Sequence, residues 1–298
     1  MHMPTPITDP DQIHVKHSDT DVWINPVGGL GDMLMLSSVL KIVHDQNPDK
    51  KFRLVRRTRY PLFLRNHPAI EYIGYPPKGT KNIITPNYWD KWPMGGGKDR
   101  AFQRLAAIFG LETPVEETLW VPFEIKPDTF LDKAIPWEKK NILIAPFSDS
   151  PRKMMPPEKW EELVYMLRDE GYFVIQTGQK HEFVIKGAYS LLGATDPKQL
   201  LSLVKRCSAV VTSDSFIMHA AKLIGTPAYV VWGPTQRIVY GYDNHTHFEA
   251  SLDHCDQADK CLGPHVPENY NTTCPLEKEH CMAKIDINKI IRSITSKI

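Results

Sequence analysis

Four apolar stretches, "NILIAPF", "YFVIQTG", "AVVTSD" and "AYVVWG", alternate with helical patterns between residues 141 and 233. Strands that are apolar throughout must be covered on both faces, and a helix between consecutive strands makes each connection a crossover. The pattern therefore predicts a parallel sheet layered between helices. The intervening helices are read over 157–170, 197–206 and 217–224, with Gly171 and Gly225 closing the first and last. A shorter set of the same kind precedes it: strand 22–25, helix 33–45, strand 52–56, short helix 61–66, strand 70–75 and helix 101–109, with 76–100 irregular. The expected architecture is α/β, two Rossmann-like domains with parallel sheets facing across a cleft. A loosely ordered segment 1–20 comes first. Residues 21–135 form the first domain, and residues 136–298 form the second with a cysteine-rich insertion at 254–282. Ligands in such sheets bind beyond the C-terminal strand ends.

Charge and hydropathy remove whole classes of function. The 36 basic and 35 acidic residues nearly cancel, which gives no support to general nucleic-acid binding, since that needs a surplus of positive charge. "RLVRRTR" at 53–59 reads as an edge strand running into a solvated helix start. No apolar run approaches the roughly 18 residues of a membrane span. The N-terminus "MHMPTPITDPDQ" lacks the basic and apolar regions of a secretory signal. A cytoplasmic protein is expected, and a peripheral place at the inner face of a membrane is compatible with that.

The chemistry concentrates where strands give way to helices. In "NPVGGLGDMLMLSSVLK", Gly28, Gly29 and Gly31 let the backbone turn tightly and let a ligand approach, and the helix start beyond them favours anions. The stretch is not a dinucleotide fingerprint, because Asp32 stands where a phosphate would sit. Asp32 is either an N-cap or a proton acceptor held ionised by the helix dipole. In "PFSDSPRKMMPPEKW", Ser148, Ser150 and Lys153 precede a helix opened by Pro157, a set that suits a diphosphate or simply forms a polar capped loop. "TSDSFIMHAAKLIGTP" brings Asp214 and Ser215 to a strand end and His219 to the next helix. A Ser-His-Asp triad from these is rejected: there is no nucleophile elbow, and residues so close in sequence rarely converge in that way. "DTD" at 19–21 precedes a strand rather than ending one and is read as chance.

Taken in order, these stretches resemble glycosyltransferase family 9, the ADP-heptose heptosyltransferases of lipopolysaccharide core assembly. "GGLGDMLMLSSVLKIVHDQNPDKKFRLV" is similar to the family's opening motif and "HPAIEYIGY" to its next segment. "APFSDSPRKMMPPEKWEELVYMLRDEGYFVIQTGQKHE" matches its lysine-containing segment. "VVTSDSFIMHAAKLIGTPAYVVWGPT" matches its donor motif, and "CPLEKEHCMAKIDINKI" a cysteine-containing tail. The resemblance implies the GT-B fold and inverting transfer of a sugar, heptose or similar, from a nucleotide-diphosphate donor to a glycan or glycolipid hydroxyl, with no metal for catalysis. It implies Asp32 as general base and Lys153 as holder of the leaving diphosphate. Gly31, Ser148, Ser150, Gly178, Glu182, Asp214, Ser215 and His219 are implied in donor binding. Phe216 departs from the pattern, standing where the family usually has glycine, so a bulky ring is expected near the donor. The competing readings are a non-catalytic GT-B protein that binds a nucleotide or glycan, and a transferase acting on a protein or modified nucleic acid.

Four of the five cysteines, Cys255, Cys261, Cys274 and Cys281, follow a C-x5-C-x12-C-x6-C spacing, with His254, His265 and His280 nearby. In a reducing compartment such a cluster reads as a structural zinc or iron site. Free thiols or disulfides stapling a loop remain the alternative. In either case the segment is expected to lie remote from sugar transfer. Cys207 reads as a core residue.

Overall fold

A computed structural model describes residues 21–56, 61–89, 100–252, 255, 261, 267–277 and 280–298. The expected segment 1–20 lies outside them, as do Asp19, Arg57, Arg59, His254 and His265.

The first half runs β1 (Trp23–Ile24), α1 (Leu30–Gln46), β2 (Phe52–Val55), β3 (Ile70–Gly74), β4 (Ile83–Ile84), α2 (Ala101–Ile108) and α3 (Thr129–Ala134). Its strands form a parallel sheet in the order β3-β2-β1-β4. The second half runs β5 (Asn141–Ala145), α4 (Pro157–Asp169), β6 (Phe173–Gln176), β7 (Tyr189–Ser190), α5 (Pro197–Arg206), β8 (Ala209–Ser213), α6 (Phe216–Ile224), β9 (Ala228–Trp232), α7 (Arg237–Tyr240), β10 (Thr246–Glu249) and α8 (Ile287–Thr295). Its six strands are parallel in the order β10-β9-β8-β5-β6-β7.

The apolar strands are sandwiched as expected. Leu143, Ile175, Val210 and Val230 face one apolar cluster with α5 and α6. Ile142, Ile144, Val174, Val211 and Val231 alternate to the other, against Trp160, Leu163 and Leu167 of α4 and Ile290 and Ile294 of α8. That alternation is the two-residue period of a strand buried on both sides. The first cluster continues without a break into the first half through α1, which packs directly on α6. Helix α1 is accordingly apolar almost all round, burying Met33, Leu34, Met35, Leu36, Val39, Leu40 and Val43.

Helix α1 begins three residues before the expected start, because Gly29 caps it. The stretch read as irregular contains β4, whose two residues are too few to carry a periodic signal. Arg53 of the arginine-rich stretch is buried and pairs with Asp21 at 2.8 Å and Glu71 at 2.7 Å. Both Arg53 and the last aspartate of "DTD" therefore have structural work.

Candidate active site

Two of the glycines around the start of α1 have identifiable reasons. Gly28 has φ of +98°, and a side chain there would collide with the Asp32 carboxylate. A Cβ on Gly31 would lie 2.5 Å from Cδ2 of His219, so its absence lets the first turn of α1 rest on α6. The Gly29 amide donates to Asp32 Oδ2 at 2.7 Å in a capping box. Asp32 is thus the third residue of the helix, not its N-cap.

The other Asp32 oxygen accepts a hydrogen bond from the Tyr88 hydroxyl at 2.5 Å. Burial raises the Asp32 carboxyl above the usual aspartate range, against the lowering effects of Tyr88, the Gly29 amide and the Lys153 charge. This corrects the expectation of a carboxylate simply held ionised by the helix dipole: loss of water outweighs the favourable partners. The result is a stronger base than an exposed aspartate.

The second half faces this carboxylate. The Ser148 hydroxyl donates to the Asp214 carbonyl at 2.8 Å, joining the loops after β5 and β8. Ser150 caps a 3-10 turn, Pro151–Lys153, and its hydroxyl is buried without a partner among the described residues. Lys153 Nζ lies 2.9 Å from Asp214 Oδ2. Burial alone would lower the Lys153 pKa, but Asp214 raises it well above the usual lysine value. Burial likewise pushes Asp214 up, yet Lys153 holds it below the usual range. Both lie close enough to act on the titration of Asp32. Asp149 completes the approach of the two halves: a Cβ on Gly29 would stand 3.3 Å from its Oδ2.

His219 is buried, with Nδ1 2.7 Å from the Tyr242 hydroxyl. Burial lowers its pKa to about 4, so the ring is neutral at pH 7. Ser215 precedes α6 with its Oγ 2.9 Å from Thr212 Oγ1. Gly178 and Glu182 meet one strand over, beyond β6: a side chain on Gly178 would overlap the Glu182 carboxylate. Among the described residues Glu182 Oε2 is buried without a partner, the state of a group that awaits a ligand or water. Phe216 stacks on Phe63 of the first half with centroids 5.9 Å apart, so its ring packs between the halves.

Asp32, Lys153, Asp214 and His219 therefore converge, with Gly31, Ser148 and Ser215 shaping their surroundings, while Gly178 and Glu182 form a separate pair along the same sheet edge. Tyr88 escaped sequence reading, since it lies in the irregular stretch and reaches Asp32 across 56 positions. A lone tyrosine there carries no signal of that role.

The cysteine-rich segment is not remote from this site. Cys255, Cys261, Cys274 and Cys281 are unbonded to one another and line one small cavity with Arg152, Pro234, Leu252, Leu276 and His280. Arg152 is the neighbour of Lys153, and the ring of Tyr270 lies 5.6 Å from Lys153 Nζ. The loop after β5 and the cysteine-rich segment are thus packed together, which spacing along the chain could not reveal. Among the described residues no group of three or more histidine, cysteine or acidic side chains stands ready-made around a metal ion.

Residues 99–260 match the family model described as glycosyltransferase family 9 (heptosyltransferase). Lipopolysaccharide heptosyltransferase 2 of Salmonella typhimurium is 32% identical over 197 residues, covering 61% of this chain and 49% of that protein. The chain thus spans about half the length of that relative. In structure it is similar to the Escherichia coli ADP-heptose lipopolysaccharide heptosyltransferase II, with TM-score 0.63, 15% identity and coverage of 93% and 98% of the two chains. It is also similar to the iron-containing dodecameric heptosyltransferase TibC in complex with ADP-D-β-D-heptose, with TM-score 0.68, 16% identity and coverage of 95% and 78%. These likenesses establish the two-sheet arrangement as the GT-B fold.

Proposed function

The chain belongs to glycosyltransferase family 9, and from that premise we propose that it transfers a sugar, heptose or a close relative, with inversion from a nucleoside diphosphate to a hydroxyl of a glycan or glycolipid. The observation that carries this reading is the meeting of a raised, hydrogen-bonded carboxylate from one half, Asp32, with the buried Lys153–Asp214 pair of the other.

In the proposed step the acceptor oxygen attacks the anomeric carbon while the bond to the diphosphate oxygen breaks on the opposite face. Asp32 takes the acceptor proton. Gly29 and Tyr88 leave one rotamer of the carboxylate satisfied, so the base is oriented before substrate arrives. Negative charge grows on the departing diphosphate. In this reading Lys153, held by Asp214, stabilises that charge more in the transition state than in the ground state. Glu182 is the candidate acceptor for the ribose hydroxyls, and its unpartnered oxygen supports that role. His219, neutral and braced by Tyr242, contributes shape and hydrogen bonding rather than charge.

Calorimetric titration with ADP, UDP, GDP, CDP and dTDP tests the donor reading. Selective binding of ADP favours a heptose-type donor, whereas no binding across the panel removes the catalytic reading in favour of a non-catalytic glycan-binding protein. Lys153→Gln is expected to weaken binding of the preferred diphosphate by roughly tenfold or more. Unaltered affinity refutes the role of Lys153.

We also propose that Cys255, Cys261, Cys274 and Cys281 hold a structural metal. Four soft thiols line one cavity and are of the type that binds tetrahedral zinc or iron, but among the described residues they are not gathered as a ready-made ligand set, so binding would have to draw them together. Burial raises the thiols of Cys261 and Cys281, so a metal would have to displace their protons. Elemental analysis is expected to find about one metal per chain, and Cys261→Ser to lose it. Metal-free protein with an unchanged melting temperature rules the site out.

A further inference from the structure

Arg152 is buried, yet among the described residues it has no carboxylate partner. Among the described residues, every polar contact of its guanidinium goes to the cysteine-rich segment. Nε donates to the Thr272 carbonyl at 3.3 Å and one terminal nitrogen to Cys261 Sγ at 3.5 Å. The other donates to Asn269 Oδ1 at 3.2 Å and Thr272 Oγ1 at 3.0 Å. These bonds span more than a hundred residues of sequence and converge on one side chain. The next residue is Lys153, in the same 3-10 turn. The same segment that receives Arg152 also carries Tyr270, whose ring lies 5.6 Å from Lys153 Nζ. Asp214 meets that ammonium from α6's approach loop.

A buried guanidinium fixed by four bonds is a stiff anchor, because its planar fork leaves little freedom. A lysine has four rotatable bonds and no such stiffness. The turn at 151–153 is therefore held at Arg152, and the ammonium beyond it is bounded by Asp214 and the Tyr270 face. An aromatic face attracts a cation without supplying a full negative charge, so it leaves the ammonium free to meet a phosphate.

We propose that the cysteine-rich segment is a working wall of the donor site: Arg152 and Tyr270 are positioning residues for Lys153, aligning it on the leaving diphosphate. This rests on the donor-site reading above. The metal reading is not needed for it, since Arg152 and Tyr270 make these contacts with their own side chains. The class of ligand sensed is a nucleoside diphosphate, and the effect must fall on its terminal phosphate rather than on its base.

The test compares ADP with AMP by calorimetry in the full chain. Arg152→Met and Tyr270→Leu are expected to weaken ADP by about tenfold and about threefold while leaving AMP within about twofold, with Arg152→Lys recovering part of the loss. Tyr270 is 38% exposed, so its variant keeps the proposal testable if Arg152→Met does not fold. In a double variant with Lys153→Gln, Tyr270→Leu should add nothing further, since both act through one ammonium. Equal loss of ADP and AMP shows a merely structural wall and overturns the proposal, as does an unchanged ADP:AMP ratio in both variants. If Lys153→Gln itself binds ADP like the wild type, the donor-site reading fails first and takes this proposal with it.

Discussion

Asp32→Asn is expected to lower sugar transfer by ~10²–10⁴-fold, the usual contribution of a positioned general base, while nucleotide affinity stays within about twofold and thermal stability does not fall. Three observations combine here. The amide keeps the shape of the carboxylate and can still pair with the Gly29 amide and the Tyr88 hydroxyl, which turns to accept instead of donate. It cannot take up a proton at neutral pH. Because the folded-state pKa of Asp32 is raised, the ionised carboxylate costs stability, a cost that appears as pH rises through the folded pKa. The neutral amide never incurs it, so the melting temperature at pH 7 should match or exceed that of the wild type. The acid limb of the rate profile should likewise lie above the ordinary aspartate range. Transfer by Asp32→Asn at the wild-type rate would end the assignment, and a marked fall in its melting temperature would show that burial of the charge is not the governing effect.

Acid is expected to unfold the protein between pH 6.5 and 4. His67, His219 and His245 are buried, and burial lowers their pKa values to about 4, about 4 and about 3. His67 shows why protonation is resisted: one ring nitrogen lies 2.8 Å from the Ser37 carbonyl, and the other accepts from the Ala69 amide at 3.0 Å. A second ring proton would lose the latter bond. With folded pKa values below the unfolded value, stability is complete above about pH 6.5. It is lost as pH falls, by up to about 1.4 kcal/mol per pH unit for each histidine. Three such groups acting together amount to several kcal/mol by pH 5, comparable with the ~5–15 kcal/mol stability of a typical domain. Asp32, Glu117 and Glu182, all held above the usual carboxylate range by burial, work in the opposite sense and offset part of this loss. Urea midpoints at pH 7 and pH 5 measure the effect. Among the described residues neither ring nitrogen of buried His245 has a partner, so His245→Leu should raise the midpoint more at pH 5 than at pH 7. Equal midpoints at the two pH values in the wild type would defeat the prediction.

The extent to which the site was legible differs from residue to residue. Asp32 follows a glycine, Asp214 follows the end of β8, and Lys153 and His219 lie within a few residues of Pro151 and of that strand end; these marks of a chain change of direction survive in sequence. Local position leaves their roles open, and the resemblance to glycosyltransferase family 9 supplies the expected ones. Helix α8 is not among the expected elements, although Ile287, Ile290, Ile291 and Ile294 follow the helical spacing and are all buried. Tyr88 lies in a stretch without periodicity, and Arg152 reads as one more surface cation beside a lysine. Both acquire meaning only from partners 56 to 120 positions away.

By itself the sequence determined the layered α/β arrangement, the glycine-lined mouth of α1 and the order of the strand-to-helix loops. Those depend on local periodicity and backbone freedom, which act over a few residues. Only the tertiary structure decided that the Asp32 carboxyl is raised rather than depressed, that Tyr88 orients it, and that the cysteine-rich segment packs against the Lys153 turn. Each of those outcomes depends on which groups exclude water from one another, and desolvation is a property of packing between distant segments, not of neighbours along the chain.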